Sequence, residues 1–159
     1  MDNFAAVRID DRLIHGQIVA TWINALGVRS IIVADDKAAT DELQKMLLSM
    51  AVPKSIKFEI LPIDKAAARI QSPDEDMERT LFIVRNIEAI QSLMNLGITF
   101  NKVNFGNAGS AKGRVQYFKS VWLTDDERKV VEDVMAAGVE IEVQVVPTEK
   151  ALNMKDLLK

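Results

Sequence analysis

Apolar positions along the chain switch between two periods. Short runs rich in β-branched and aromatic residues lie at Phe4–Ile9, Ser30–Ala34, Ile56–Leu61, Thr80–Val84, Lys102–Phe105, Val121–Leu123 and Val139–Val146. Between most of them apolar residues recur at i, i+3, i+4 and i+7, which predicts helices. Leu43, Met46, Leu47 and Met50 form one such stripe; Ile63, Ala66, Ala67 and Ile70 form a second. Ile14, Ile18, Trp22 and Leu26 form a third, whose start overlaps His15. The methionines at helical spacing are expected to fill core gaps, and Trp22 and Trp122 are expected to pack. Three junctions share one grammar, Leu26-Gly27-Val28, Leu96-Gly97-Ile98 and Ala137-Gly138-Val139. A left-handed glycine can close a helix there before a strand begins. Thr124-Asp125-Asp126-Glu127 reads as a capping box ahead of a helix carrying Val130 and Val134.

Strands alternating with helices over short connections predict an open, mostly parallel α/β sheet with helices on both faces. Ser30–Ala34 and Thr80–Val84 are apolar almost throughout, as central strands are. Ile56–Leu61 and Glu140–Val145 alternate with polar residues and are expected toward the edges. Gln71–Arg79, with Pro73 and four acidic residues, reads as a solvated loop too short to divide two domains. The 159 residues are therefore taken as a single domain, 1–159, a length that buries roughly 68–70% of its unfolded surface.

Composition narrows the chemistry. There is no cysteine, so disulfides, thiolate metal sites and a cysteine nucleophile are excluded. A reducing compartment agrees with that. The one histidine, His15, rules out any site that needs two imidazoles within the chain. A formal net charge of −3 disfavours nucleic acid as a partner. The start, Met1-Asp2-Asn3-Phe4, lacks the basic segment and apolar run of a signal peptide. The longest charge-free stretch, Leu13–Val28, is shorter than the roughly 20 apolar residues of a spanning helix. A soluble chain is expected.

In such sheets ligands sit beyond the carboxyl ends of the strands. Asp10-Asp11-Arg12-Leu13-Ile14-His15-Gly16-Gln17 follows the first strand there, Asp35-Asp36 the second, Arg85-Asn86 the fourth, and Gly106-Asn107-Ala108-Gly109-Ser110 the fifth. His15 stands at a helix start, where free amide N–H groups and the helix dipole favour an anion. Gly16 permits close backbone approach, and Arg12 can offer a bidentate fork to phosphate oxygens. These residue types suit an imidazole that takes up a phosphoryl group without a metal or cofactor. Other readings stand beside this one. A loop histidine can be merely solvated or capping, and Arg12 can simply pair with Asp10 or Asp11. The acidic pairs suit helix capping, magnesium binding or phosphorylation on aspartate; Asp10 and Asp11 can also position Arg12 or orient the imidazole. The glycine-rich run Gly106–Arg114 is no Walker A motif and can be an anion nest or a plain turn.

The run Val7-Arg8-Ile9-Asp10-Asp11-Arg12-Leu13-Ile14-His15-Gly16-Gln17, with Trp22 beyond it, resembles the enzyme IIB component of the mannose/fructose/sorbose family of the sugar phosphotransferase system. Val33–Asp36, Val103–Asn107, Val121 leading to Asp125–Glu127, and Gly138–Pro147 extend the resemblance over nearly the whole chain. It implies a seven-stranded, largely parallel sheet and a phosphotransferase phosphorylated on His15. Arg12 would then stabilise the phosphoryl group, the backbone at Gly16 and Gln17 would supply further donors, and Asp10, Asp11, Gly106 and Asn107 would support the site. The implied donor is a phosphohistidine on enzyme IIA, on a separate polypeptide since this chain has no room for a fused IIA domain. The implied acceptor is a sugar carried by the membrane IIC/IID permease, which places the chain in the cytoplasm at the membrane surface. One departure stands out: Ala108-Gly109-Ser110-Ala111 replaces the methionine and aromatic of the family's fifth-strand loop. Partner contact or sugar preference is expected to differ accordingly. A receiver-like domain phosphorylated on aspartate, and a non-catalytic sugar-regulatory subunit, are the alternatives.

Overall fold

A computed structural model describes residues 4–159; Met1–Asn3, where the start was read for export signals, lie outside the described residues. The strands are β1 (Ala6–Asp10), β2 (Ser30–Ala34), β3 (Lys57–Leu61), β4 (Thr80–Val84), β5 (Lys102–Asn107), β6 (Val115–Phe118), β7 (Val121–Leu123), β8 (Glu140–Val143) and β9 (Leu152–Asn153). The helices are α1 (Gly16–Leu26), α2 (Asp36–Ala39), α3 (Glu42–Met50), α4 (Ile63–Gln71), α5 (Ile87–Asn95), α6 (Asp125–Ala136) and α7 (Met154–Leu157). Seven strands form one sheet in the order β3-β2-β4-β1-β5-β8-β9, parallel except for the outermost β9, which runs antiparallel to β8.

Period-two alternation sends neighbouring residues of each strand to opposite layers. Ile31 and Val33 of β2 pack with Val19 and Trp22 of α1, Ala38 of α2 and Leu48 of α3. Ile32 and Ala34 join the other core with Ala66 of α4, Ile87, Ile90 and Leu93 of α5, and Val131 and Val134 of α6. Every residue of β2 and β4 is buried, as strands covered on both faces must be. β3 is an edge strand as expected, while β8 is bordered by the two-residue β9. Gly27, Gly97 and Gly138 take φ of 63°, 96° and 100°, the left-handed stop read at all three junctions. The capping box forms as well: the Thr124 side chain accepts from the Glu127 amide, and the Glu127 carboxylate accepts from the Thr124 amide.

Three expectations need correction. Val121–Leu123 lies outside the large sheet and pairs with β6 in a separate hairpin, so the seventh sheet strand is β9. The fifth strand continues to Asn107, which puts Gly106 in a strand and not in a loop. The α3 stripe does not fill a core. Leu43, Met46, Leu47 and Met50 are 61%, 54%, 56% and 75% exposed, because α3 is rotated to bury Leu48 instead.

Candidate functional site

α1 leaves β1 on one face of the sheet and α5 leaves the adjacent β4 on the other, so the connections diverge beyond the carboxyl ends of these two strands. The β1–α1 loop occupies that place. It turns sharply: the Leu13 amide donates to the Asp10 carbonyl at 2.9 Å, and Leu13 holds a left-handed φ of 59°. That conformation is unfavourable for a leucine and is maintained by burial of its side chain. With Leu13 and Ile14 pinned in the core, the chain emerges at His15, which is exposed.

His15 is the N-cap of α1, with extended φ and ψ of −113° and 110°. Its carbonyl accepts from the Val19 amide at 2.9 Å, but its imidazole caps no backbone N–H. The first turn of α1 holds no acidic residue, so no carboxylate of the helix itself meets the dipole and the amides at Gly16 and Gln17. No protein neighbour demands glycine at 16: a Cβ there would make ordinary contact with the Ala51 carbonyl at 3.7 Å.

Arg12 is bound to Asp10 and not to Asp11. Asp10 Oδ1 accepts from the Arg12 amide at 3.0 Å and from its Nε at 3.2 Å, and Oδ2 accepts from Nη2 at 3.4 Å. The Asp10 side chain is 2% exposed and that of Arg12 40%, so a buried anchor holds an exposed fork. Asp11 has a different task. Its carboxylate accepts from Asn107 Nδ2 at 2.6 Å and from the Gly109 amide at 2.9 Å, and Arg114 Nη1 lies 3.8 Å away. Asp11 thus ties the histidine loop to the loop after β5. Arg114 is itself held by Glu127 at 2.9 and 3.0 Å. Burial pushes the Glu127 carboxyl up, but Arg114 and the Thr124 amide outweigh it and leave its pKa below the ordinary value.

The second acidic pair is likewise built into the scaffold. Asp35 caps α2 through the Ala38 amide at 3.0 Å and receives Arg85 Nε and Nη2 at 3.1 and 2.9 Å. Burial raises the Asp35 pKa, yet the bonds from Arg85 and Ala38 prevail and hold it low. Asp36 accepts the Ile63 amide at 2.8 Å, joining α2 to the start of α4. Capping and tethering, among the readings open for these carboxylates, are the ones their hydrogen bonds favour. No group of three or more His, Cys, Asp or Glu that could hold a metal ion occurs among the described residues.

Arg8 was not singled out from sequence, yet it is the largest fully buried side chain, 1% exposed. Its Nη1 donates to Asn104 Oδ1 at 2.6 Å and to the Gln144 carbonyl at 3.1 Å, and its Nη2 to Asp10 Oδ2 at 3.4 Å. Its guanidinium carbon lies 5.4 Å from the Trp22 ring centroid, and the Trp22 indole N–H donates to the Val145 carbonyl at 3.0 Å. Gly106 leaves the space this guanidinium fills: a Cβ there would overlap it, 2.6 Å from Nη1. The available signal was a charged residue between Val7 and Ile9, two positions before Asp10 and hence on the same strand face.

The fold is that of the phosphotransferase-system IIB components. The crystal structure of the IIBSor domain of the sorbose permease from Klebsiella pneumoniae matches with a TM-score of 0.88 and 26% identity, over 98% of this chain and 95% of that one. Residues 4–159 match the family model of the PTS system sorbose subfamily IIB component, and the chain belongs to that family. The fructose-specific EIIB component of the Bacillus subtilis phosphotransferase system is 31% identical over 159 residues, all of this chain and 98% of the relative. The mannose-specific EIIAB component of Escherichia coli K12 is 30% identical over 151 residues, 95% of this chain and 47% of that protein. Family membership makes the chain a component of the transferase relay that phosphorylates sugars during uptake.

Proposed function

We propose that this chain carries the phosphoryl group on His15. The observation that supports this most directly is the exposed imidazole at the start of a helix with no acidic residue in its first turn, three residues after an arginine fork anchored on buried Asp10. A bare nitrogen of the neutral imidazole attacks the phosphorus of a phosphohistidine on a IIA partner. The N–P bond to His15 forms as the donor's N–P bond breaks; the donor ring, protonated on its other nitrogen, leaves as neutral imidazole, and phosphorylated His15 keeps the proton on its own other nitrogen. A IIA partner is supported by the E. coli mannose-specific EIIAB relative, whose name joins the two components. In the second step a sugar hydroxyl attacks the same phosphorus, the His15 N–P bond breaks, and the hydroxyl proton is released. Arg12 and the amides at Gly16 and Gln17 stabilise the charge on the equatorial oxygens in both steps; Asp10, Asp11, Gly106 and Asn107 hold the loops that present them.

The sugar reaches this site through IIC/IID membrane components, with this chain docked at the cytoplasmic face; no helix among the described residues is long and apolar enough to cross a membrane. Selection among sugars rests with those components, and the Ala108–Ala111 loop beside Asp11 modulates the docking. Incubation with a phosphorylated mannose-type IIA domain tests the reading. The expected product is acid-labile and base-stable, and His15→Ala abolishes it. A product labile in both acid and base, or labelling that survives His15→Ala, would overturn it.

A further inference from the structure

We infer that Arg8 is a positioning residue for phosphoryl transfer, serving as the permanent counter-ion of Asp10 so that Arg12 is free to leave it. This inference rests on His15 being the phosphoryl acceptor. Asp10 is shared between two arginines of opposite character. Arg8 reaches Oδ2 and is 2% exposed in its side chain; Arg12 reaches both oxygens and is 40% exposed. Arg8 is immobilised from four sides: Asn104 of β5, the Gln144 carbonyl after β8, the Trp22 ring of α1, and the Gly106 backbone against which it lies. Arg12 has no such enclosure, and its Nη1 is unengaged among the described residues.

A carboxylate as buried as Asp10 is strongly destabilising once it loses compensation. If Arg12 were its only counter-ion, turning the Arg12 fork onto an incoming phosphoryl group would strand that charge. With Arg8 fixed in place, Asp10 stays compensated throughout, and Arg12 exchanges one oxyanion for another. Arg12 can also keep its amide bond to Oδ1 while its side chain moves, so the loop holds its register. Arg8 therefore acts on the reaction through Asp10 and Arg12, without contact to the phosphoryl group.

The test is a transfer-rate comparison with radiolabelled phospho-IIA as donor. Arg8→Met removes the counter-ion and traps Arg12 on Asp10. Its kcat is expected to approach the ~100-fold loss that follows removal of a transition-state donor such as Arg12, with KM for phospho-IIA little changed. Asp10→Asn in the Arg8→Met background removes the trap and keeps an acceptor at Oδ1, so the double variant is expected to recover roughly tenfold or more over Arg8→Met. Arg8→Lys, which keeps the charge, is expected to stay within about threefold of the unsubstituted chain and serves if the methionine variant does not fold. A purely structural Arg8 predicts that the second substitution slows transfer further. That result, or Arg8→Lys as slow as Arg12→Ala, would overturn the inference while leaving His15 labelling intact. Absence of labelling in the unsubstituted chain would overturn the underlying reading, and this inference with it.

Discussion

Gly106→Ala is expected to destabilise the protein far more than one added methyl usually does. The new Cβ falls within the Arg8 guanidinium, and the guanidinium has nowhere to retreat. Moving it sacrifices the bonds to Asn104 and the Gln144 carbonyl or weakens the pair with Asp10. Overpacking a tight interior costs about 1–3 kcal/mol, and a lost hydrogen bond to a charged group about 1.5–3 kcal/mol. The sum, about 2.5–6 kcal/mol, corresponds to a Tm lower by roughly 5–24 °C for a chain of this size. Equilibrium urea unfolding followed by far-ultraviolet circular dichroism gives the free energy, and a thermal scan gives the Tm. Gly109→Ala is the control, since a Cβ there meets only Asp11 Oδ2 at an ordinary 3.7 Å; its cost should stay below about 1 kcal/mol. Equal small costs at both glycines would refute the claim that Arg8 is confined against the β5 backbone.

Two further expectations follow from the same packing and charge arguments. The Asp35 pKa is held below its unfolded value, so its stabilising contribution is complete above the unfolded pKa of about 4 and disappears as pH falls through the lower folded value. Asp35→Asn should therefore lose about 1 kcal/mol at pH 7, an amount limited by the partial exposure of Arg85, and flatten the acid limb of a stability–pH curve; an unchanged acid limb would contradict the pairing. Leu47→Glu on the solvent face of α3 should shift unfolding by less than about 0.5 kcal/mol, whereas Leu48→Ala should cost about 2–4 kcal/mol. Urea unfolding of the two variants, with their costs reversed, would restore the core role first read for the stripe.

Strands β2 and β4 were legible to the residue because both faces are covered and nearly every side chain is apolar. β1 was placed early, at Phe4–Ile9, and ended one residue before Asp10, because Asp10 looks like a loop residue until its partners are known. β6, with two exposed residues out of four, and β9, with two residues in all, carry too little burial to leave a pattern. The α3 stripe misled for a physical reason: periodicity reports that a helix has an apolar face, and tertiary packing decides which face turns inward. At the site, His15, Arg12 and the helix start are neighbours in sequence, so the arrangement could be read locally. The Arg8 hub could not. Its partners Asn104 and Gln144 lie 96 and 136 residues away, and only the sheet order brings them to one guanidinium.

The central claim is that one phosphoryl group resides on His15, and intact-mass spectrometry after incubation with phospho-IIA addresses it most directly. At neutral to basic pH the account predicts one phosphoryl group per chain, fragmentation that assigns it to His15, and its loss after brief acid treatment. A chain that gains no mass, or gains it on Asp10, Asp11 or another residue, would contradict the account.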